Sequence, residues 1–498
     1  MKNLFRSVFA LFIIPVFIIS FIHPDPGVKL YVSHFENVLG TSFELKVSAA
    51  SESLADSAEA IALSEIDRLS GILSAYDSSS EFSRWNKSGG KTVKISDDLF
   101  FVLSLFDQWK QRTGGALDAS SEAVSRVWKK ASMTNEMPTQ QDISQALRQV
   151  KQQHWVLNAE NNTAIRRGNS PLMMNSFVKS YIIMKVADKI SALPGISGAM
   201  VNIGGDIIVS GDIGEDIAIS NPKADAENDL PLTVIQVRDR AIATSGNYRR
   251  GFAIGGKWFS HIVDPRTGIP ADQVISATVV SPNASDAGAM ATAFNVMGIE
   301  ESRKLAASIP GTEYLIIAKT GEKYSSDGWH DIEINNVQHG SVKTNVQGDY
   351  ELLINMELAQ FEGRFRRPFV AIWIEDSKHK TVRNLALWFN KPRWLPDLKE
   401  WYRSNYQEVS SAGQGVQSIS SATRPPGKYT IKWDMKDDKG NSVPLGKYTI
   451  YIEAAREHGT YQLMKKEIDC RKKDQSVTIP GNTEVSSASL EYRKTVAN

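Results

Sequence analysis

The apolar pattern of this chain changes once along its length, and that change limits the folds it can adopt. Between residues 29 and 333, strand-type runs alternate with apolar residues at helical spacing, as in Ala62, Ile66 and Leu69. After Gly328 only short β-type runs and one helical piece follow, the β-type runs lying at residues 350–358, 369–375, 385–389, 429–435 and 447–453. A chain of 498 residues is also too long for one hydrophobic core. We therefore predict an α+β domain at residues 28–335 and an all-β immunoglobulin-like sandwich at residues 343–498.

Helices are predicted in the first domain from the same spacing. They cover residues 54–75, 141–149 and about 285–297, with one more ending before Gly114-Gly115 and one following Asn175. In the second domain a helical piece at residues 395–406 interrupts the β-type runs. The tryptophans near and within these runs are expected to form the sandwich core.

The first residues have the composition of a targeting segment. Lys2 and Arg6 precede an apolar run at residues 8–22, which is short for a membrane span. Residues 1–27 are therefore predicted to be a signal peptide, with an N-terminal anchor in the inner membrane as the alternative. Either reading places the chain outside the cytoplasm, in the periplasm or the cell envelope.

Charge and cysteine content exclude several classes of protein. Lys and Arg number 57 against 56 Asp and Glu, so no basic surface indicates a nucleic-acid partner. Cys470 is the single cysteine, which excludes an internal disulfide and a cysteine-based metal cluster.

Two turn-rich segments indicate a ligand-facing rim. One is Ser245-Gly246-Asn247, and the other is Asp264-Pro265-Arg266-Thr267-Gly268, with His261 just before it. Such turns present backbone amides and polar side chains to a ligand. His261 and Asp264 lie three residues apart, but the turn around Pro265 favours a structural or ligand-facing role over a hydrolytic pair.

Further motifs are dispersed through the first domain, and together with the two turns they resemble the ApbE family. The family comprises Mg-dependent FAD:protein FMN transferases of the bacterial cell envelope. The resemblance covers nearly all of residues 29–333. The motifs that carry it are Leu39-Gly40-Thr41, Ser74 to Asn86 around Tyr76, Thr113-Gly114-Gly115-Ala116-Leu117-Asp118, Asn202 to Asp206, Lys179 with Tyr181, and Ser285 to Gly298.

The resemblance implies an activity, cofactors and partners. FMN would pass from FAD to a Ser or Thr of an acceptor protein in the envelope, and AMP would be released. FAD and Mg²⁺ are the implied cofactors. The cofactor-binding residues would be Leu39, Tyr76, Ala116, Leu117, Asp118, Lys179, His261 and Ile262. The implied catalytic residues are Asp286, Thr292 and Lys179, and the implied metal ligands are Ser176 (through its backbone oxygen), Asp286 and Thr292.

The chain departs from the family pattern in its metal-binding motifs. Met173 stands where the family has an acidic residue, and Gly288 stands where it has a carboxylate four residues before the Thr292 position. Three family glycines are also replaced, by Asn175, Ser176 and Ser180. These departures keep a second function open, that of a catalytically impaired flavin-binding or scaffolding relative. A FAD pyrophosphatase using the same pocket is a further alternative.

Several of these residues also have purely structural readings. Asp286 lies six residues before Thr292, about 120° away around a regular helix, so it reaches the same ion only if the helix begins after it. Otherwise Asp286 would cap that helix. Tyr76 would be an aromatic residue at a helix end. Gly114-Gly115 would stop a helix, and Asp118 would cap the next one. Asn202 and Asp206 are minor candidates for polarity in the site.

Overall fold

The structure is a computed structural model of the chain. It describes residues 27–224, 226–229, 231–247, 250–334, 350–361, 367–389, 392–411, 420–421, 423–424, 426–457 and 459–495. The predicted targeting segment falls almost wholly outside the described residues, as does most of the predicted join between the two domains. Within the described ranges, no helix combines the length and the apolarity needed to cross a membrane.

The first part of the chain, up to residue 334, alternates strands and helices as the apolar pattern predicts. Its strands are β1 (Lys29–Val38), β2 (Thr41–Ala49), β3 (Thr92–Lys94), β4 (Trp155–Asn158), β5 (Thr163–Arg166), β6 (Ile196–Ile203), β7 (Asp206–Ile219), β8 (Thr233–Gly246), β9 (Gly251–Ile254), β10 (Lys257–Ser260), β11 (Val274–Ser281), β12 (Glu313–Ala318) and β13 (Lys323–Ser325). Its helices are α1 (Glu52–Leu73), α2 (Glu81–Asn86), α3 (Asp97–Arg112), α4 (Glu122–Thr134), α5 (Gln140–Val150), α6 (Val178–Ser191), α7 (Ala284–Val296), α8 (Ile299–Ala307) and α9 (Trp329–Ile332).

One antiparallel sheet forms the centre of this part, with strand order β1-β2-β6-β7-β8-β11-β12-β13. Alternate residues of β2, such as Phe43, Leu45 and Val47, are buried, as expected where one face of a sheet meets a core. That face packs against α1, α3, α6 and α7 in the largest apolar cluster. The packing of α6 against α7 matters for function, because it brings two predicted metal-binding segments together.

Two smaller units extend from this sheet. Strands β3, β5 and β4 form a three-stranded sheet, and β9 pairs with β10. The β9–β10 pair packs on α4 and α5 through a separate apolar cluster that includes Trp128 and Val263. Helix α4 and the long strand β8 have no counterpart in the predicted elements. The predicted turn at Ser245-Gly246 is wrong, since both residues belong to the end of β8 and pair with β11.

The second part of the chain is a β-sandwich, as predicted. Its elements are β14 (Tyr350–Leu358), β15 (Phe369–Asp376), β16 (Thr381–Trp388), α10 (Lys399–Ser411), β17 (Ser420–Ser421), β18 (Gly427–Trp433), β19 (Lys447–Ala455), β20 (Tyr461–Asp469), β21 (Gln475–Ile479) and β22 (Val485–Lys494). Two sheets, of order β18-β14-β22-β21 and β17-β16-β15-β19-β20, enclose an apolar core that contains Trp388 and Trp433. Helix α10 covers the outer face of the second sheet, where Trp373 stacks on Tyr451.

The two parts touch through a loop that lies between β7 and β8. The Asn228 side chain donates to the carbonyl of Lys432 at 2.7 Å and accepts from the Lys432 amide at 2.8 Å. The Lys432 ammonium lies 2.8 Å from Asp229. Asn228 thereby satisfies the backbone amide and carbonyl of Lys432 at the edge of β18, which limits exposure of a free sheet edge.

Candidate functional site

Two glycine-containing turns lie side by side at one end of the central sheet. Leu39, at φ 51°, begins the turn between β1 and β2, and Gly204 and Gly205 form the turn between β6 and β7. The Gly204 amide donates to the Ser42 carbonyl at 3.0 Å, and a Cβ on Gly204 would meet the Thr41 side chain at 2.7 Å. Only glycine permits so close an approach. The turn that contains the predicted cofactor residue Leu39 thus lies beside the turn that leads into Asp206, the first residue of β7.

Helix α7 and the start of helix α6 bring two predicted metal ligands together. The Thr292 hydroxyl donates to the Ser176 backbone oxygen at 3.0 Å, across 116 residues of sequence. Ser176 lies two residues before α6, whose N-cap Phe177 offers no side-chain hydrogen bond. The first backbone amides of α6 therefore form the positive end of the helix dipole, which favours the binding of phosphate. Lys179 in the first turn of α6 adds a positive charge at the same end.

A charged cluster lies beside this helix end. The Lys179 ammonium is 3.8 Å from Asp206 Oδ2, and the Ser180 hydroxyl donates to the same oxygen at 3.0 Å. Burial raises the pKa of the Asp206 carboxyl, while the positive charge of Lys179 and the Ser180 hydrogen bond act to lower it. Asp206 was only a minor candidate from the sequence, and its contacts place it next to Lys179.

Asp286 lies on a different side of α7 from Thr292. Asp286 could reach an ion held by Thr292 only if the helix began after it. The helix begins at Ala284, before Asp286, so Asp286 lies on the helix itself. The alternative that Asp286 caps the helix is wrong as well, because Asn283 is the cap and its side chain accepts from the Asp286 amide at 3.1 Å. Burial raises the pKa of the Asp286 carboxyl, and Arg112 opposes that shift.

The oxygen atoms near Thr292 fit a magnesium ion only in part. Mg²⁺ takes oxygen ligands, usually one or two carboxylates together with substrate phosphates. Thr292 and Ser176 offer a hydroxyl and a carbonyl oxygen at 3.0 Å from each other. One helical turn before Thr292, on the same face, Gly288 offers no side chain. No group of three or more His, Cys, Asp or Glu residues suited to a metal occurs in the described part of the chain. The pair thus fits a cation that is shared with phosphates and one further carboxylate.

Tyr76 lies at the rim of an open cavity. The residue is 76% exposed, which is unusual for tyrosine, and its hydroxyl accepts from the side-chain Nδ2 of Asn175 at 2.6 Å. The cavity has a volume of about 530 Å³ and runs from Tyr76 to Met173. Asn175 and Ser176 lie two and three residues after Met173 in the chain, and Ser176 precedes the helix end that carries Lys179. A second cavity, lined by Arg68 and Asp98 among others, contains none of the predicted site residues.

The Thr113 to Asp118 segment has the structural role that its glycines predict. Helix α3 ends at Arg112, and Gly114 and Gly115 follow with φ of 55° and 87°. The amide of Leu117 donates to the Thr113 hydroxyl at 3.0 Å, which fixes the backbone that the resemblance assigns to FAD. Asp118 caps a short 3₁₀ turn, as predicted, and lies 2.7 Å from the Lys110 ammonium. Ala116 and Leu117 are buried.

The Asp264 to Gly268 turn is held by internal hydrogen bonds and lies beside the Thr113 segment. Two oxygens of Asp264 accept from the Arg266 guanidinium, and the Gly268 amide donates to the Asp264 carbonyl at 2.7 Å. A Cβ on Gly115 would lie 3.7 Å from Arg266 Cγ, so this turn and the Thr113 segment are neighbours. The Asn247 side chain, expected to face a ligand, is instead buried and donates to backbone oxygens of Ala271 and Val274.

His261 and Ile262 lie between β10 and this turn. The His261 ring nitrogen Nδ1 is 3.0 Å from the Arg250 carbonyl, and burial lowers the pKa of the imidazole. The Ile262 amide donates to the Ser260 hydroxyl at 3.0 Å. These contacts tie both residues to the β9–β10 pair, and none of them joins the cluster around Lys179.

Two residues of the site had no role in the predictions. Ser180 is 1% exposed and joins α6 to Asp206, and Asn175 contacts Tyr76. Both stand where the family pattern has glycine, and that replacement was the available signal. Replacing glycine with serine or asparagine beside a site reduces the space there and adds hydrogen-bonding groups.

Comparisons with known proteins identify the family of the chain. The profile of the ApbE family matches residues 39–316, and a profile described as a predicted periplasmic protein (DUF2271) matches residues 350–487. The second description supports export of the chain. A FAD:protein FMN transferase of Treponema pallidum is 27% identical over 266 residues, covering 49% of this chain and 73% of that protein. A protein of the same name from Vibrio cholerae is 30% identical over 276 residues, covering 52% and 80%.

Solved structures give the same result for the fold. The ApbE protein of Thermotoga maritima superposes with a TM-score of 0.54 at 25% identity, covering 61% of this chain and 100% of that one. The flavin transferase ApbE of Vibrio cholerae gives 0.50 at 24% identity, with the same coverage. The family profile spans more than half of the chain. The chain belongs to the ApbE family.

Proposed function

We propose that this protein is a FAD:protein FMN transferase that modifies a Ser or Thr of an envelope protein. The observation that carries the proposal is the 3.0 Å contact between the Thr292 hydroxyl and the Ser176 carbonyl, made at the helix end that holds Lys179. Membership of the ApbE family and the names of the relatives support it. The fold alone would not, because function depends on the site.

The proposed reaction exchanges the phosphoanhydride bond of FAD for a phosphoester bond to the acceptor. The acceptor hydroxyl oxygen bonds to the phosphorus of the FMN half of FAD, and the bond from that phosphorus to the AMP oxygen breaks. The hydroxyl proton leaves with the products, so that AMP and an FMN-bearing protein result. Such a transfer depends mainly on positioning and on neutralising charge at the phosphates.

The residues divide between the phosphates and the flavin. Lys179 and the first amides of α6 would bind the pyrophosphate, and Ser176 and Thr292 would hold a Mg²⁺ ion. When bound, that ion neutralises charge on the phosphate oxygens. The flavin and adenine would lie against Leu39, Tyr76, His261 and Ile262 and against the backbone of Ala116 to Asp118. Because Asp286 lies about 120° from Thr292 around α7, we give it no role at the ion.

We also propose the location and domain organisation of the chain. Residues 28–335 would form the transferase domain and residues 343–498 the sandwich domain, with residues 1–27 acting as a signal peptide or as an inner-membrane anchor. The apolar run after Lys2 and Arg6 supports export, as does the periplasmic description of the second profile. The acceptor would then be a protein of the envelope.

A second candidate function is favoured by one observation. Gly288 removes the carboxylate from the Thr292 face of α7, and a site with neutral oxygens alone holds Mg²⁺ weakly. The alternative is therefore a relative that binds FAD without transferring FMN. Hydrolysis of FAD to FMN and AMP is a further possibility for the same pocket.

One assay separates these functions. The purified chain is incubated with FAD, Mg²⁺ and a peptide bearing a threonine acceptor, and AMP and flavin fluorescence on the peptide are measured. A transferase gives equal amounts of AMP and labelled peptide. AMP with free FMN would indicate the pyrophosphatase instead, and tight FAD binding without AMP would overturn the transferase proposal.

A further inference from the structure

Ser180 and Gly288 compete for one volume between helices α6 and α7. A Cβ atom on Gly288 would lie 2.1 Å from Ser180 Oγ and 3.4 Å from Phe177 Cα. The first distance is far below van der Waals contact, so a side chain fits at position 288 only if the Ser180 hydroxyl moves from its present position. The Ser180 hydroxyl thus fills the room that a carboxylate on the Thr292 face of α7 would need.

The hydroxyl that fills this room is bonded to another carboxylate. Ser180 Oγ donates to Asp206 Oδ2 at 3.0 Å. A Cβ atom on Gly288 would lie 2.1 Å from Ser180 Oγ, which in turn lies 3.0 Å from Asp206 Oδ2. Asp206 Oδ2 is therefore at most about 5 Å from that Cβ position. A carboxylate on α7 and the carboxylate of Asp206 on β7 would therefore both bring negative charge to the space around Ser180.

Asp206 lacks the partners that a buried anion needs. Its side chain is 14% exposed, and the Lys179 ammonium at 3.8 Å lies beyond hydrogen-bond distance. Both of its contacts go to Oδ2, and nothing among the described residues bonds to Oδ1. A carboxylate that water reaches only in part is stabilised when positive charge and donors match it. A divalent cation at Oδ1 would supply that charge.

The backbone around Asp206 keeps the carboxylate in place. Asp206 pairs with Ile203 as the first residue of β7, directly after the Gly204-Gly205 turn. That turn is bonded to Ser42 on the neighbouring strand. A ligand carried on a strand end is held more accurately than one on a free loop.

We propose that Asp206 is the anionic ligand of the divalent-cation site in this chain, in place of a carboxylate on α7. Ser180 is its positioning residue, and the cation is Mg²⁺ or Mn²⁺ shared with the pyrophosphate of the nucleotide. The inference rests on the proposed function, because the cation serves the phosphates bound beside Ser176 and Thr292. Relative to the family pattern, glycine replaces a carboxylate at position 288 and serine replaces glycine at position 180. The proposal explains how the site keeps an anionic ligand with both replacements.

The test compares Asp206→Asn with Asp216→Asn. Asp216 lies on the same strand, is exposed, and accepts only a long contact of 3.3 Å from Gln236, so it is a matched control. The dissociation constant of FAD is measured by calorimetry with and without Mg²⁺, and Mn²⁺ binding is measured by electron paramagnetic resonance. Thermal melting shows whether each variant is folded.

In the wild-type chain and in Asp216→Asn, Mg²⁺ should tighten FAD binding. In Asp206→Asn that tightening should fall by about tenfold or more, as for the loss of a group that sets metal affinity. Binding without Mg²⁺ should stay the same or tighten, since a negative charge near the phosphates is gone. Ser180→Ala keeps the carboxylate and should show a smaller loss, which gives a second readout if Asp206→Asn does not fold.

Three outcomes would overturn the inference. Asp206→Asn could keep the full Mg²⁺ effect, or the wild-type chain could show none. Alternatively, FAD binding could weaken equally with and without Mg²⁺, and Asp206 would then serve only to hold Lys179. Because the readout is binding, a chain that passes this test but releases no AMP would contradict the transferase proposal alone.

Discussion

The indole nitrogen of Trp128 donates a hydrogen bond to the carbonyl oxygen of Gly268 at 2.8 Å, across 140 residues of sequence. Both residues are buried, and the contact fixes the Asp264 to Gly268 turn against α4. A buried carbonyl that loses its donor carries the full cost of desolvation.

Trp128→Phe should therefore destabilise the protein. The phenyl ring fills most of the space, but the Gly268 carbonyl is left without its donor, and the free energy of unfolding should fall by about 1–3 kcal/mol. Denaturant unfolding of the first domain measures the change. Trp258→Phe is the control, because Trp258 is 56% exposed and its replacement should change stability by less than about 0.5 kcal/mol. Equal stability of Trp128→Phe and the wild-type chain would contradict the assigned role of this bond.

Thr292→Ala should remove transfer while leaving the fold intact. The variant loses the hydroxyl that lies 3.0 Å from the Ser176 carbonyl. AMP release in the presence of Mg²⁺ should fall by about 10–100-fold, and stability by only about 1 kcal/mol. Thr292→Ser keeps the hydroxyl and should retain most of the activity. If Thr292→Ala released AMP as fast as the wild-type chain, Thr292 would have no role in the reaction.

Gly288→Asp alone should harm the protein rather than improve it. The new Cβ would lie 2.1 Å from Ser180 Oγ, so the free energy of unfolding should fall by about 1–3 kcal/mol. Ser180→Gly together with Gly288→Asp opens that space, and the double variant should regain stability relative to Gly288→Asp and release AMP at least as fast as the wild-type chain. Ser180→Gly is the control for the loss of the serine. If Gly288→Asp is as stable as the wild-type chain, the two positions do not compete.

Tyr76→Ala should weaken FAD binding without affecting stability. Tyr76 is 76% exposed, so its removal leaves no buried cavity. Loss of an aromatic ring stacked on a flavin or adenine should raise the dissociation constant of FAD by about tenfold. Tyr76→Phe loses only the hydrogen bond from Asn175 and should bind nearly as well as the wild-type chain. Flavin fluorescence titration distinguishes these results, and an unchanged dissociation constant for Tyr76→Ala would place FAD elsewhere.

Glu65→Gln should lower stability in a pH-dependent manner. Hydrogen bonds from Arg68 lower the pKa of the Glu65 carboxyl from 4.5 to about 2. Burial opposes this shift, and the hydrogen bond from Lys189 adds to it. A lowered folded-state pKa stabilises the protein above the unfolded-state value, and the effect disappears as the pH falls from about 4.5 to about 2. The difference between wild type and Glu65→Gln should therefore be full at pH 7, about 1–3 kcal/mol, and shrink below about pH 4.5. Asp67→Asn, exposed on the same helix, should show no such difference. A difference that is constant with pH would rule out this carboxylate as its source.

Much of the fold follows from the local pattern of the sequence. The predicted helix at residues 54–75 corresponds to α1 (Glu52–Leu73), and the one at 285–297 corresponds to α7 (Ala284–Val296). Both have a good N-cap, Ser51 and Asn283, and α1 also has apolar residues at helical spacing. Strand β8 was missed because much of its length has neither clear alternation nor a continuous apolar run, so it depends on β7 and β11 to form.

The sequence by itself determined the two-part architecture, the helix and strand types and the set of motifs that identify the ApbE family. Those depend on periodicity and on residue identity, which are local properties. Only the tertiary structure decided that Ser176 meets Thr292, that Asp286 faces away from them, and that Asp206 lies beside the space left by Gly288. Each of these facts depends on how α6, α7 and β7 pack, and the packing joins residues that are far apart in the chain and carry no local sign of their contact.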